Sequence, residues 1–369
     1  MKLFIKVERR DSTSIPLTIA VILLSLLIGF CLIAGLLAIQ GIDPLFALGK
    51  IFAGSFGRIY GIGETITKGI PLILIGGGLA LAFRAKFWNI GAEGQLLSGA
   101  ILSTWIALNW APHLPAVIVI PLMFLAGFLG GAVWGFFPAL FKVRFGVNEV
   151  ISTLMMNYII AEFLNMLILG PWRGESRMGF PYTDSFPPSA TLYQLPNSRV
   201  HLFTLILALC FAFLLFLLIY RTKFGYEVRV IGENRDAARY AGIDFFRNTI
   251  ILMVISGGMA GMAGVGEVAG IHHHLTYPQM ISSGYGYTGI IVAWLAKLNP
   301  LLAIISGLFL AGILVGGDAV QISLGLPAAT VHVFNGILLF SLIMGDYFLL
   351  NRLLITIRRD RAEGRTGGV

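Results

Sequence analysis

The chain is predicted to be an all-α polytopic membrane protein, and three observations point that way. Of its 369 residues, 57% are hydrophobic and only 12% charged, about half the charged share of an ordinary soluble domain. Mean hydropathy is +0.86. Apolar runs recur along the whole length, many of them near the roughly 20 residues that a helix needs to cross a bilayer. Length alone would suggest two or three soluble domains; the composition replaces that expectation with one membrane domain.

About ten helical spans account for the apolar runs, at roughly 15–40, 68–83, 88–110, 116–140, 149–170, 201–220, 249–271, 284–297, 300–317 and 330–350. The first follows a charged segment, MKLFIKVERRDSTS. It is longer than the roughly 7–15-residue apolar core of a cleavable signal, so it is expected as a retained helix. The second, eighth and ninth spans are short and rich in glycine. Such helices must be tilted, broken or shielded by neighbours, because lipid cannot satisfy exposed backbone groups.

Basic residues set the orientation. With both termini inside, 20 of the 26 Lys and Arg fall on cytoplasmic stretches, and only Lys50, Arg58, Lys68, Arg173, Arg177 and Arg199 lie outside, the bias expected of cytoplasmic loops. The expected organisation is a cytoplasmic N-terminal segment (1–14), a transmembrane domain (15–350) and a cytoplasmic tail (351–369). The domain carries an outer loop at 171–200 and an inner loop at 221–248. Five spans precede the end of the outer loop and five follow it. An odd-numbered half reverses direction, which predicts an inverted-repeat core.

The net charge of +8 and isoelectric point near 9.6 are accounted for by the inner loops, so no nucleic acid is expected as a partner. Cys31 and Cys210 each lie inside an apolar run, which argues against both a disulfide framework and a zinc site. The sequence holds no G-x-x-x-x-G-K-[ST] loop, no H-E-x-x-H and no G-x-S-x-G, so no catalytic residue is expected and this chain has no phosphate-binding loop for ATP. His272, His273 and His274 are consecutive. Adjacent helical residues diverge by about 100°, so they are read as a polar end to the seventh span, and no metal is expected.

Acids inside a membrane span cost roughly 2.5–3.5 kcal/mol or more, which singles out Glu93, Glu162, Glu267 and Asp346. Glu93 lies close to Arg84 and Lys86 and is expected to be satisfied locally or at a helix N-terminus. Glu267 sits among glycines and alanines that permit close helix packing. A structural role fits each as well as a transport role does, and four scattered acids define no proton relay. The candidate translocation path is Asn89, Glu93, Gln95, Asn157 and Glu267, with Glu267 preferred.

The inner loop contains Gly232, Glu233, Asn234, Arg235, Asp236, Ala237, Ala238, Arg239, Tyr240, Ala241 and Gly242 in succession. Its alanines support a short helix that a partner can approach closely, the two glycines suit turns at its ends, and Arg235, Asp236 and Arg239 face water or a partner. The plain alternative is a solvated loop.

Four ordered segments carry a resemblance: GGGLALAFRAKFWNIGAEGQLLSGA (76–100), GVNEVISTLMMNYI (146–159), VRVIGENRDAARYAGI (228–243) and GYGYTGIIVAWLAKLNP (284–300). Over roughly 60–345 the chain resembles the permease subunits of bacterial ABC importers of the nucleoside and simple-sugar family, and its extended N-terminus resembles the longer of the paired permeases. The resemblance implies a multi-pass protein of the bacterial plasma membrane, embedded in the lipid bilayer and assembled with a second permease. It also implies cytoplasmic ATPase subunits that hold ATP and Mg, none being bound by this chain, and an extracellular lipoprotein that delivers the solute onto outer loops including 171–200. Residues 232–242 match the coupling helix that seats in the ATPase. The implied cargo is a nucleoside or related ribose-containing solute, with a simple sugar as the alternative. A different class of reading is an ion-coupled secondary transporter working without an ATPase. An integral-membrane enzyme finds no nucleophile or metal constellation.

Overall fold

The structure, a computed structural model, describes residues 2–10, 14–175, 179–327 and 329–358. Arg177 in the outer loop and residues 359–369 of the tail therefore fall outside the described residues.

Each of the ten expected spans falls on a helix: α1 (Ile15–Ile39), α3 (Ile59–Arg84), α4 (Ala92–Asn109), α5 (Ala116–Phe145), α6 (Glu149–Leu169), α7 (Leu202–Arg221), α10 (Phe245–Glu267), α12 (Tyr285–Leu295), α13 (Leu302–Leu324) and α14 (Ala329–Leu350). Seven described helices are long and apolar enough to cross a membrane: α1, α3, α5, α6, α7, α10 and α13. Among the described residues, α2 (Pro44–Phe56), α8 (Lys223–Glu233) and α11 (Pro278–Ser282) lie where loops or span edges were expected, and α9 (Arg235–Tyr240) falls where the short inner-loop helix was expected. The start of α2 is set by Asp43, whose Oδ1 accepts the Leu45 and Phe46 amides at 2.9 and 3.3 Å, a signal that long hydrophobic windows average away.

Among the described residues the chain departs from all-α in one paired ribbon. Strands β1 (Lys2–Arg9) and β2 (Asn351–Arg358) pair antiparallel, Lys2 opposite Arg358 and Arg9 opposite Asn351. Leu3, Ile5 and Val7 alternate with Phe4, Lys6 and Glu8, a partial period-two pattern too short to stand out beside α1.

The chain forms two compact units, one from the two ends (up to Gly49 and from Ser323 onward) and one from Lys50–Ile322. In the first, α1 and α14 lie against each other, with Gly29 facing Leu338 and Ser341, and Gly345 facing Ser25.

The second unit is built on glycine contacts. A Cβ on Gly131 of α5 would be driven into the Gly257 carbonyl of α10, one on Gly261 into the Gly127 carbonyl, and one on Gly99 of α4 into the Gly261 backbone. Helices α4, α5 and α10 therefore meet backbone to backbone, the close packing that small residues permit in membranes. Helix α3 is buried along most of its length and meets α12 where Gly76 faces Val292 and Gly289 faces Ile75.

At its C-terminal end α10 widens into a π-helical turn, Val268–His272. The loop that follows α6 supplies amides to carbonyls of this region: Leu192 donates to Ala269 at 2.9 Å, Phe186 to His273 at 2.8 Å and Thr183 to Leu275 at 3.1 Å. The Gln194 side chain donates to Gly270 at 2.6 Å. An irregular helix end buried in protein needs such partners.

Candidate functional site

The stretch AKFWNIG (85–91) separates α3 from α4. Helix α3 stops at Arg84, and Lys86 adopts a left-handed φ of 55° that turns the chain back toward α4. Three of the five predicted path residues then meet in one buried hydrogen-bonded cluster. Asn89 and Gln95 exchange amide hydrogen bonds at 3.0 and 3.1 Å, and Asn89 Nδ2 also donates to Ser256 of α10 at 3.2 Å. Asn157 of α6 accepts the Gly94 amide at 2.9 Å and donates to the Ile90 carbonyl at 3.0 Å and the Tyr287 hydroxyl at 3.3 Å. The amide groups of all three are engaged within the protein. The cluster pins α4, α6, α10 and α12 at one level, as a satisfied buried network does.

Glu93, the fourth residue, reaches out of this cluster. Its carboxylate accepts the Gly286 amide at 2.8 Å and draws on the Ser282 hydroxyl and the backbone at Gly284 and Tyr287. It thus caps the N-terminus of α12, which satisfies a buried acid through the exposed amides of a helix start. The expected placement at a helix N-terminus holds, with α12 as the helix capped.

Glu267, the fifth, is not brought to the others. It lies eleven residues beyond Ser256 on α10, about 16 Å along the axis. There it is buried, at 4% exposure, under the influence of Arg199 and Lys68. Those cations are themselves paired, Lys68 with Asp318 and Arg199 with Glu64. Of the other two acids, Asp346 falls in α14, with its side chain outside the described residues, and Glu162 is exposed on α6.

The predicted short helix in the inner loop forms as α9. Asn234 caps it, accepting the Asp236 and Ala237 amides at 3.0 and 3.1 Å, and Gly242 ends it at a φ of 73°. Two expectations are corrected. Gly232 and Glu233 belong to α8, where a Cβ on Gly232 would be driven into the Arg84 carbonyl. Gly232 thus brings α8 against the end of α3 and does not open a turn. Ala238 is buried at 2% exposure, so it packs on its own chain and does not face a partner. Arg235 lies over the Phe245 ring at 3.8 Å. Asp236, Ala237, Arg239 and Ala241 are exposed, as is Tyr240 at 93%.

The α8–α9 segment is tied firmly to the long helices. Asn248 of α10 donates to Glu227 at 2.8 Å, Arg84 donates to the Tyr220 hydroxyl at 2.8 Å, and Arg84 and Arg229 both lie over the Tyr220 ring.

Residues 61–343 match the family described as branched-chain amino acid transport system / permease component. The chain belongs to this permease family. The glucose ABC transporter permease TsgB13 of Haloferax volcanii is 34% identical to the permease, over 89% of this chain and 88% of its own. The guanosine ABC transporter permease NupP of Bacillus subtilis is 33% identical, over 86% and 90%. The nucleoside ABC transporter permease NupB of Lactococcus lactis is 30% identical, over 92% and 93%. Bacillus subtilis also has a second guanosine permease, NupQ, 27% identical over 66% of this chain. No solved structure matches the permease. The permease is a membrane translocation subunit of the ABC type and not an enzyme. The matched region runs from α3 into α14 and so contains both the buried polar cluster and the α8–α9 segment.

Proposed function

We propose that the permease forms the translocation path of an ATP-driven importer for a nucleoside or related ribose-containing solute. The observation that carries this reading is its 30–33% identity, over about nine-tenths of its length, to permeases named for guanosine and nucleosides. A simple-sugar cargo is the second reading, favoured by the glucose permease at 34% identity. In this reading the chain crosses the plasma membrane of a bacterium about ten times around an inverted-repeat core. Residues 1–14 and 351–369 and the 221–248 loop are cytoplasmic, and 171–200 is outside; the basic-residue bias supports that orientation. Segment 232–242 couples to a cytoplasmic ATPase that holds ATP and Mg. An extracellular binding lipoprotein docks on the outer loops. The second permease is a different chain, as the two guanosine permeases of one organism suggest.

The test is uptake into cells or proteoliposomes that hold the permease with its co-encoded partners. Guanosine, other nucleosides, ribose and glucose compete against a labelled nucleoside. ATP-dependent nucleoside uptake that sugars leave unchanged is the expected result. Uptake of glucose alone selects the second reading. Uptake without the ATPase overturns both.

A further inference from the structure

Each within its own unit, helices α1, α6 and α7 leave a broad face exposed. On α1 that face is Ile19, Leu23, Leu24, Leu27, Ile28 and Leu32, and on α7 it includes Leu202, Phe203, Ile206, Phe213 and Leu214. Apolar side chains of that kind suit lipid. The open face of α6 differs. Between Met155, Ile159 and Met166 it carries Tyr158 at 61% exposure and Glu162, also exposed. Tyr158 and Glu162 are four residues apart and so stand on one side of the helix.

Glu162 lies thirteen residues beyond the start of α6, about 20 Å along a helix of about 31 Å, well inside any span that α6 makes. The Asn165 amide donates to its Oε2 at 3.3 Å, and among the described residues no lysine, arginine or histidine pairs with it. An ionisable side chain at such depth turns to a protein interior or to water, because hydrocarbon offers it nothing. Among the described residues of its own unit Glu162 is left exposed.

We infer that the Tyr158–Glu162 face of α6 lines the water-filled solute path, and that the Glu162 carboxylate receives vicinal hydroxyls of the cargo. A carboxylate has two acceptor oxygens and no donor. Two neighbouring hydroxyls can donate to it side by side, in charge-assisted bonds stronger than neutral ones. The Asn165 amide holds the carboxylate in place for this. Vicinal hydroxyls are also the group that a ribonucleoside and a hexose have in common, so one acid suits either cargo. This inference rests on the importer reading above.

Two arms test it in the assembled importer. In a background lacking Cys31 and Cys210, Glu162→Cys is expected to react with a water-soluble thiol reagent, and Ile206→Cys on the apolar face of α7 is expected to stay unlabelled. In the transport arm, guanosine and 2′,3′-dideoxyguanosine compete for uptake. Glu162→Ala and Glu162→Gln are expected to reduce the preference for the diol about tenfold or more, while Glu162→Asp keeps it. Membrane abundance is read for each variant, and the labelling arm needs no transport. Labelling at 162 no greater than at 206 overturns the path assignment. Labelling at 162 with an unchanged diol preference in Glu162→Ala overturns the carboxylate contact and leaves the importer reading intact. Labelling at 162 in Glu162→Cys, together with a wild-type protein that moves neither nucleosides nor sugars, overturns the importer reading and the diol contact, and leaves the path assignment standing.

Discussion

The Glu93 carboxylate accepts the backbone N–H of Gly286 at 2.8 Å, although 193 residues separate the two in sequence. Gly286 has no side chain to hold them apart; a Cβ there would be driven into the Glu93 backbone. The starts of α4 and α12 therefore share one polar joint, next to the cluster of Asn89, Gln95, Ser256 and Asn157. Shifting α12 relative to α4 means breaking this buried hydrogen bond.

Replacing Glu93 with alanine leaves buried amides of α12 without acceptors. The expected loss of stability is about 1–3 kcal/mol for each unsatisfied group, with a smaller loss for Glu93→Gln, which keeps an acceptor oxygen. Thermal unfolding of the purified protein in detergent reads the order: wild type, then Gln, then Ala. Equal melting temperatures for all three would remove the joint from the account of stability.

Gly131→Val and Gly257→Val place side chains between the backbones of α5 and α10. Overpacking a close-packed core costs typically about 1–3 kcal/mol and occasionally more; here backbone opposes the intrusion, so the cost lies at the upper end. Both variants are expected to lose the monodisperse peak in size-exclusion chromatography. Gly35→Val on α1, where a Cβ meets nothing within 4 Å, is the control and stays monodisperse.

Membrane sidedness is read with single cysteines at Ser185 and Ala241, both exposed, in the background without Cys31 and Cys210. An impermeant thiol reagent added outside intact cells is expected to label position 185 alone, and position 241 only after the membrane is opened. Asn234 is left in place because it caps α9. Labelling of both from outside contradicts the topology.

Coupling to the ATPase is expected to depend on the exposed side of α9. Tyr240→Ala removes the most exposed aromatic of the segment, of a residue type enriched among the anchors of protein interfaces, and Arg239→Glu reverses a charge beside it. Both variants are expected to keep normal membrane abundance and to lose ATPase co-purification and uptake. Ala238→Trp instead overfills a buried position, so it is expected to lower thermal stability as well. Normal co-purification in Tyr240→Ala and Arg239→Glu would leave the segment a solvated loop.

The sequence by itself determined the membrane class, the place of every long helix and the short helix of the inner loop. These are local properties: an apolar run long enough to span, a run of alanines, a glycine at a left-handed turn. It also marked Asn89, Glu93, Gln95 and Asn157 as polar residues in an apolar setting. Only the tertiary structure decided what those residues touch. Asn157 bonds to Gly94 across 63 positions and Glu93 to Gly286 across 193; helical periodicity carries no such reach, because it repeats every 3.6 residues and says nothing of which helix comes next in space. For the same reason the composition of 232–242 could not separate Gly232, packed under Arg84, from Gly242, free at a turn. Nor could it separate buried Ala238 from exposed Tyr240. Glu162 and Glu267 look alike in sequence, one acid in each apolar run. Packing buries Glu267 among the charges at the end of α10 and leaves Glu162 on an open face, because burial depends on the neighbouring helices that the fold brings up to each one.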